Sequence, residues 1–168
     1  MIIRRLEERD LSIRVSWMNN PKIYTSMHFA IPVTLENTIQ WFENNKGKDS
    51  RTDVVFEDAE TGELLAMGGL TGINRDANKA ELYIFVNPDL HRGGIGTIAT
   101  KLLCKYGFER LNLDKIYLET NENNVAAQKV YFKCGFHLEG IHRGEYRADD
   151  GRLLSRMYFG MLKGELNE

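Results

Sequence analysis

A cluster of glycines near the middle of the chain separates a strand pattern from a helical pattern. Residues 80–86 have the composition of a strand, and His91-Arg92-Gly93-Gly94-Ile95-Gly96-Thr97 follows shortly after it. The helix that comes next is marked by apolar residues at helical spacing, Ile95, Ile98, Leu102 and Tyr106. Glycines let the backbone approach a ligand closely, and the first amides of a helix point outward without partners in the chain. The arrangement is typical of an anion site, above all for a pyrophosphate, although a tight loop that needs φ > 0 would carry the same glycines.

The same glycines also fit a dinucleotide-binding fingerprint, Gly94-x-Gly96-x-x-Ala99, with Glu119 downstream. That fold places its glycines directly after the first strand, whereas residues 87–92 intervene here. It also needs several more strand–helix units, and the chain has room for only one before a closing hairpin. A Walker-type phosphate loop is excluded because no Gly-Lys-Ser/Thr follows. The pattern therefore favours another fold around an anion-binding loop.

Hydrophobic spacing predicts the elements of the first half. A strand at residues 2–6 precedes one helix that begins after Asp10 and stops at residues 19–21, and a second helix that Thr34 caps. The buried faces of the two helices are expected to carry Leu11, Val15 and Met18, and Leu35, Ile39 and Phe42. Three strands follow with short turns between them, and are therefore antiparallel, at residues 52–56, 64–73 and 80–86.

The second half adds a strand at residues 115–120, a helix and a closing hairpin with strands at 136–146 and 152–161. The inner face of this last helix is expected to carry Ala127, Val130, Tyr131 and Cys134. The element order β-α-α-β-β-β-α-β-α-β-β predicts an α/β fold of mixed α+β character. We expect a single domain over residues 1–168, with a mixed, mostly antiparallel sheet of about seven strands and about four flanking helices.

Charge and composition argue against several classes of protein. The formal net charge is −2 and no run of Lys or Arg occurs, so we expect no nucleic-acid partner. No apolar stretch approaches the roughly 18 residues of a membrane span, and the N-terminus does not resemble a signal peptide. The two cysteines are expected to be reduced thiols, which predicts a cytoplasmic protein. The scattered histidines predict no metal site; they are His28, His91, His137 and His142.

Two segments resemble the GNAT superfamily of acetyltransferases. Residues 82–96 resemble the family's fourth strand and acyl-CoA pyrophosphate loop, and Asn124-x-x-Ala127-x-x-x-Tyr131-x-x-x-Gly135-Phe136 resembles its second motif. His91 stands where Gln or Arg is usual, a small departure because the loop binds phosphate mainly through main-chain amides. The resemblance implies that the fourth and fifth strands splay apart at the centre of the sheet.

The resemblance further implies acetyl-CoA as cosubstrate, with no metal. The pantetheine arm is expected in the gap between the splayed strands and the pyrophosphate at the glycine loop. The residues implied to bind this cosubstrate are Phe85, Val86, His91, Arg92, Gly93, Gly94, Ile95, Gly96, Thr97 and Asn124.

Two residues are the candidates for proton transfer. Acetyl transfer from a thioester requires a base for the amine, a donor for the oxyanion and protonation of the departing thiolate. The resemblance implies that Tyr131 is the acid that faces the sulfur, while a purely apolar role in its helix is the alternative. Glu119 is the candidate base, with an ion pair to Lys115 or to an arginine of the last hairpin as the alternative. Glu81 is the second candidate base.

The acceptor is expected to be a small-molecule primary amine near Met27, His28 and Glu81. Several stretches resemble the amino-sugar-nucleotide branch of the family from the pseudaminic acid pathway, and others resemble its spermidine and ribosomal-protein branches. We therefore expect an amino-sugar nucleotide or a polyamine as acceptor. A protein N-terminal acetyltransferase and a non-catalytic CoA-binding module stay open as alternatives, as does assembly into a homodimer.

Overall fold

Seven strands form one mixed sheet in the order β1-β2-β3-β4-β5-β7-β6. The computed structural model describes residues 1–27, 29–90, 93–148 and 150–167. The strands are β1 Ile2–Arg5, β2 Thr52–Glu57, β3 Leu64–Asn74, β4 Lys79–Val86, β5 Lys115–Asn121, β6 His137–Arg147 and β7 Leu153–Leu162. The helices are α1 Leu11–Met18, α2 Pro21–Tyr24, α3 Leu35–Asn45, α4 Ile95–Glu109 and α5 Val125–Cys134, and a 3-10 turn at Glu8–Asp10 precedes them.

The predicted fold class, strand number and mostly antiparallel pairing are confirmed. The described part of the chain has five α-helices where about four were expected, because a one-turn helix, α2, begins at Pro21. The Asn20 side chain accepts a hydrogen bond from the Lys22 amide, and proline is well suited to the first turn of a helix. Residues 19–21 were expected only to stop the first helix, but Pro21 also starts the next one.

The centre of the sheet opens where β4 meets β5. These two strands are parallel, and their pairing covers only residues 79–81 against 115–117. Beyond Glu81 and Tyr117 the strands separate, while β3 continues to pair with β4, and β7 with β5, along their lengths. One edge of β4 therefore faces a gap, with backbone groups that no neighbouring strand pairs. The splayed centre implied by the resemblance is confirmed.

The two faces of the sheet are covered by different helices. Helices α4 and α5 pack on one face around Leu103, Leu118 and Phe159, and α1 and α3 pack on the other around Trp17 and Phe85. The expected α4 face is partly wrong, because Ile98 is 51% exposed. The helix turns Ala99 and Leu103 toward the sheet instead. Small residues on that face, Gly107 above all, let α4 approach closely, with Ile116 and Leu70 against it.

The expected faces of α1 and α3 are also partly wrong. In α3, Leu35 and Ile39 are exposed, and the helix packs through Thr38, Trp41 and Phe42. In α1, the buried positions are Leu11, Arg14 and Trp17, and Val15 is only half-buried. A charged residue thus occupies a position on the inner face of α1 where the pattern predicted an apolar one.

The predicted capping of α1 by Asp10 is wrong, because the Asp10 side chain makes no capping hydrogen bond to the helix. Its carboxylate accepts hydrogen bonds from the Arg4 guanidinium at 2.7 and 2.9 Å and from the Glu7 amide at 2.9 Å. Because Asp10 is buried, these bonds use its oxygen atoms to join β1 to the 3-10 turn. They hold the entry to α1 in place of a helix cap.

Candidate active site

A cavity of about 450 Å³, here the central cavity, occupies the gap between β4 and β5. Its walls come from the ends of both strands, the N-terminal parts of α4 and α5, and α2 with the segment that follows it. The residues named from the sequence that line it are Met27, Phe85, Val86, Gly96, Glu119, Asn124 and Tyr131. The splayed strands thus bring together residues that are more than a hundred positions apart in the chain.

The glycine segment forms the start of α4 beside the central cavity. Gly94 has φ 88°, a left-handed conformation that suits glycine, and the space around Gly93 and Gly94 is open. Gly96 lines the cavity with ordinary helical geometry, and a Cβ there would lie 3.6 Å from the Val86 side chain. Positive φ is therefore not the reason for glycine at position 96, and close approach of a cosubstrate to this turn stays a prediction. His91 and Arg92 lie outside the described residues.

Ile95 and Thr97, the residues on either side of Gly96, do not line the central cavity. Ile95 is buried in the core beneath the helix. The Thr97 carbonyl accepts a hydrogen bond from the Cys134 thiol at 3.6 Å, which joins α4 to α5. These positions support the loop, and their direct contact with a cosubstrate stays a prediction.

Asn124 lines the central cavity at the start of α5. Its side-chain oxygen accepts a hydrogen bond from the Ala127 amide at 3.2 Å and so caps the helix. Capping uses the acceptor of the side chain, so the amide nitrogen is the group left to donate to a ligand.

Tyr131 reaches the central cavity from α5 and is 9% exposed. Its ring packs against Phe136 and Phe159, with ring centroids 5.9 and 5.7 Å apart. Burial raises the pKa of its hydroxyl to about 12. The hydroxyl therefore keeps its proton at neutral pH and is present in the cavity as a hydrogen-bond donor.

Glu119 lines the central cavity from β5, and the alternative ion pair with an arginine of the last hairpin is present. The Arg156 Nε lies 3.1 Å from the Glu119 Oε2, although without the geometry of a hydrogen bond. Tyr158 faces Glu119 across the β5–β7 pair. The interaction of its hydroxyl with the Glu119 carboxylate, together with burial, raises the pKa of Tyr158 to about 12. Lys115 bonds Glu139 instead, at 2.6 Å.

Glu81 is the last residue of β4 that pairs with β5, where it lies opposite Tyr117. It does not line the central cavity. Burial raises its pKa, the negative charge of Glu119 raises it further, and Arg156 opposes the shift. The carboxylates of Glu81 and Glu119 therefore both interact electrostatically with the guanidinium of Arg156, beside the gap between β4 and β5. Glu81 and Met27 were both predicted to lie beside the acceptor, but they do not line the central cavity together. His28, the third residue of that prediction, lies outside the described residues.

Met27 lies where three cavities meet. Besides the central cavity, it lines a side cavity of about 200 Å³ under α1 and α3, and a hairpin cavity of about 500 Å³ beside the β6–β7 turn. Phe85 also separates the central cavity from the side cavity. The hairpin cavity has aromatic walls, Tyr24, Phe29 and Tyr146. That the acceptor enters on this side of the site, the acceptor side, stays a prediction.

Sequence reasoning missed Arg14 and Tyr83, which line the side cavity. The signal for Arg14 was available, because Leu11, Arg14 and Met18 lie at helical spacing and the middle residue is charged. Within the described ranges, no group of three or more His, Cys, Asp and Glu side chains is placed to hold a metal ion. Nor is any described helix long and apolar enough to cross a membrane.

The sequence profile of the acetyltransferase (GNAT) domain matches residues 1–137, and the chain belongs to this family. The spermidine N(1)-acetyltransferase of Escherichia coli strain K12 is 38% identical over 92 residues, which cover 51% of this chain and only 50% of that enzyme. The spermidine N(1)-acetyltransferase of Vibrio cholerae is 30% identical over 94% of this chain and 91% of its own length. A crystal structure of the Vibrio cholerae spermidine N-acetyltransferase with CoA and spermine has a TM-score of 0.91 and 26% identity, covering 98% of this chain and 96% of that one.

Proposed function

We propose that this protein transfers the acetyl group of acetyl-CoA to a primary amine of a small molecule by direct attack. The observation that carries the proposal is the central cavity, where the start of α4 and the open edge of β4 converge on Glu119 and Tyr131. A helix N-terminus favours phosphate, and an open strand edge favours the amides of a pantetheine arm. Membership of the GNAT family supports the same chemistry.

The side chains around the gap can divide the proton transfers. The amine nitrogen attacks the thioester carbonyl, and the carbon–sulfur bond breaks as the tetrahedral intermediate collapses. The Glu119 carboxylate takes the amine proton, with Glu81 as the second candidate, and the Tyr131 hydroxyl donates a proton to the departing thiolate. The two groups reach the cavity from different elements, β5 and α5, so each can serve one side of the reacting carbon.

The acceptor belongs to one of two classes of small amine, an amino-sugar nucleotide or a polyamine. The enzymes from Escherichia coli and Vibrio cholerae are named for spermidine, which favours the polyamine. The aromatic walls of the hairpin cavity favour a sugar or a planar base. Both acceptors would enter past Met27.

Calorimetry with CoA tests the cosubstrate site. Gly96→Val places methyl groups against Val86 and Val130 and into the cavity, so CoA binding should weaken at least about tenfold while the fold is kept. Gly140→Val is the matched control, because Gly140 has open space around it and lies on β6, away from the central cavity. Equal affinity in wild type and Gly96→Val would remove the start of α4 from the site.

Thiol release on a panel of amines tests the reaction itself. The panel contains spermidine, a UDP-linked amino sugar and a peptide with a free N-terminus. We expect turnover of a small amine together with one equivalent of free CoA. Clear preference for the peptide would favour the N-terminal acetyltransferase alternative, and CoA binding without turnover of any amine would favour a non-catalytic module.

A further inference from the structure

Arg14 is a buried cation in the wall of the side cavity, and no carboxylate among the described residues forms an ion pair with it. Arg14 is 6% exposed and lines this cavity, and its Nη1 atom is buried without a hydrogen-bond partner in the part of the chain that the structure describes. A guanidinium stays charged in proteins, and a buried charge is costly unless it is paired. A ligand that carries negative charge would supply the missing partner.

Three aromatic rings fix the position of Arg14. Its guanidinium carbon lies 4.7 Å from the ring centre of Trp41, 5.4 Å from that of Phe85 and 5.7 Å from that of Tyr83. These cation–π contacts offset part of the cost of burial but leave the buried Nη1 group without an acceptor. The rings thus hold a planar donor group at the wall of a small cavity.

The neighbouring carboxylate is already occupied. Asp53 accepts two hydrogen bonds from Arg51, at 2.8 and 2.7 Å, and one from the Tyr83 hydroxyl at 2.6 Å. Arg51 also stacks on Trp41, at 4.9 Å, so two guanidinium groups contact one indole ring and only one of them has a carboxylate. The positive charge of Arg14 is therefore not balanced by Asp53 at this wall of the cavity.

We propose that the side cavity is an oxyanion subsite, in which Arg14 binds a carboxylate or phosphate group of the acceptor while the amine enters the central cavity. Phe85 and Met27 line both cavities, so one small molecule can span them. The volume of about 200 Å³ suits a group of that size. This inference rests on the proposed acetyl transfer and narrows its acceptor to amines with an anionic group, because a buried unpaired cation repels a polyamine.

Binding is tested without acetyl-CoA, so the result does not depend on activity. Trp41 contacts Arg14, so an anion bound there should change the tryptophan fluorescence. Inorganic phosphate is titrated in one series and acetate in another, in a buffer free of both. We expect a saturable change with at least one of them in wild type. Arg14→Met should weaken it about 30-fold or more, since truncating one side of a buried charged pair costs about 2 kcal/mol or more.

Lys46→Gln is the control, because Lys46 directly follows α3, the helix that carries Trp41, and its side chain is 65% exposed. It removes the same charge and should leave binding unchanged. The melting temperature of Arg14→Met should be equal to that of wild type or higher, because an apolar chain of similar length replaces an unpaired buried cation. No saturable change in wild type, equal binding in Arg14→Met, or a much lower melting temperature of that variant would overturn the subsite.

Turnover separates this inference from the proposed function. Putrescine and γ-aminobutyrate have the same chain length and the same primary amine, but carry opposite charges at the far end. We expect wild type to favour γ-aminobutyrate and Arg14→Met to lose that preference. If both amines are acetylated, putrescine is preferred and Arg14→Met changes nothing, the oxyanion subsite is wrong. The proposed acetyl transfer would still be supported by that result.

Discussion

Replacing Tyr131 by Phe should separate catalysis from stability. The substitution keeps the ring contacts with Phe136 and Phe159 and removes only the hydroxyl. Tyr131 lines the central cavity and the ring keeps its packing, so loss of the hydroxyl alone should change the free energy of unfolding by less than about 1 kcal/mol. Loss of a general acid typically lowers the rate by about 10²- to 10⁴-fold. Even the smaller factor corresponds to about 2.7 kcal/mol in the activation barrier, clearly more than the expected change in stability.

The assay is the release of CoA thiol under saturating amine, with CoA affinity measured by calorimetry and stability by urea denaturation. Tyr106→Phe is the matched control, because Tyr106 is a half-buried tyrosine on α4 that does not line the central cavity. We expect kcat to fall only in Tyr131→Phe, with little change in CoA affinity. A variant that turns over near the wild-type rate, or one that loses stability without losing turnover, would refute the role of Tyr131.

Three further perturbations follow from the same geometry. Glu119→Gln should lower kcat by about 10²-fold or more. It should also lower the pKa of Glu81, because it removes a neighbouring negative charge. If pH–rate profiles show a loss of activity only in Glu81→Gln, Glu81 is the base instead. Because burial raises the pKa of Tyr131 to about 12 and that of Cys134 to about 11, the unfolded chain releases these protons first, from about pH 9. The free energy of unfolding should therefore fall above that pH, by up to about 1.4 kcal/mol per pH unit for each group, and a flat urea midpoint would contradict this. Arg4→Gln should cost about 3 kcal/mol in urea denaturation because it leaves the buried Asp10 carboxylate without its main partner, and a loss below about 1 kcal/mol would contradict that role.

The strands and the outline of the central cavity could be predicted from the sequence because their signals are local. Alternating residues and turn formers placed β2, β3 and β4 within a residue or two of their observed bounds. The family motifs named Gly96, Asn124 and Tyr131, and the structure brings these residues to one cavity. The role of each in binding or catalysis stays a prediction.

The helix faces and the acceptor side could not be predicted, because they depend on how distant elements meet. Ile98 is exposed although it fits the apolar spacing of α4, since small residues beside it set the contact with the sheet. Arg14 lies on the inner face of α1 only because Trp41 and Tyr83, from α3 and β4, supply rings around it. The partner of Glu119 was likewise left open in the sequence, and the register of β7 against β5 decides in favour of Arg156 over Lys115.

The most direct test of the central claim is the mass of the amine product, measured beside CoA release in the same reaction. Wild type should yield one acetylated amine for each CoA thiol released, and Gly96→Val should reduce both by the same factor while Gly140→Val changes neither. Thiol release without an acetylated amine would show thioester hydrolysis in place of transfer. Full amine acetylation by Gly96→Val at low acetyl-CoA would contradict the placement of the cosubstrate between β4 and β5.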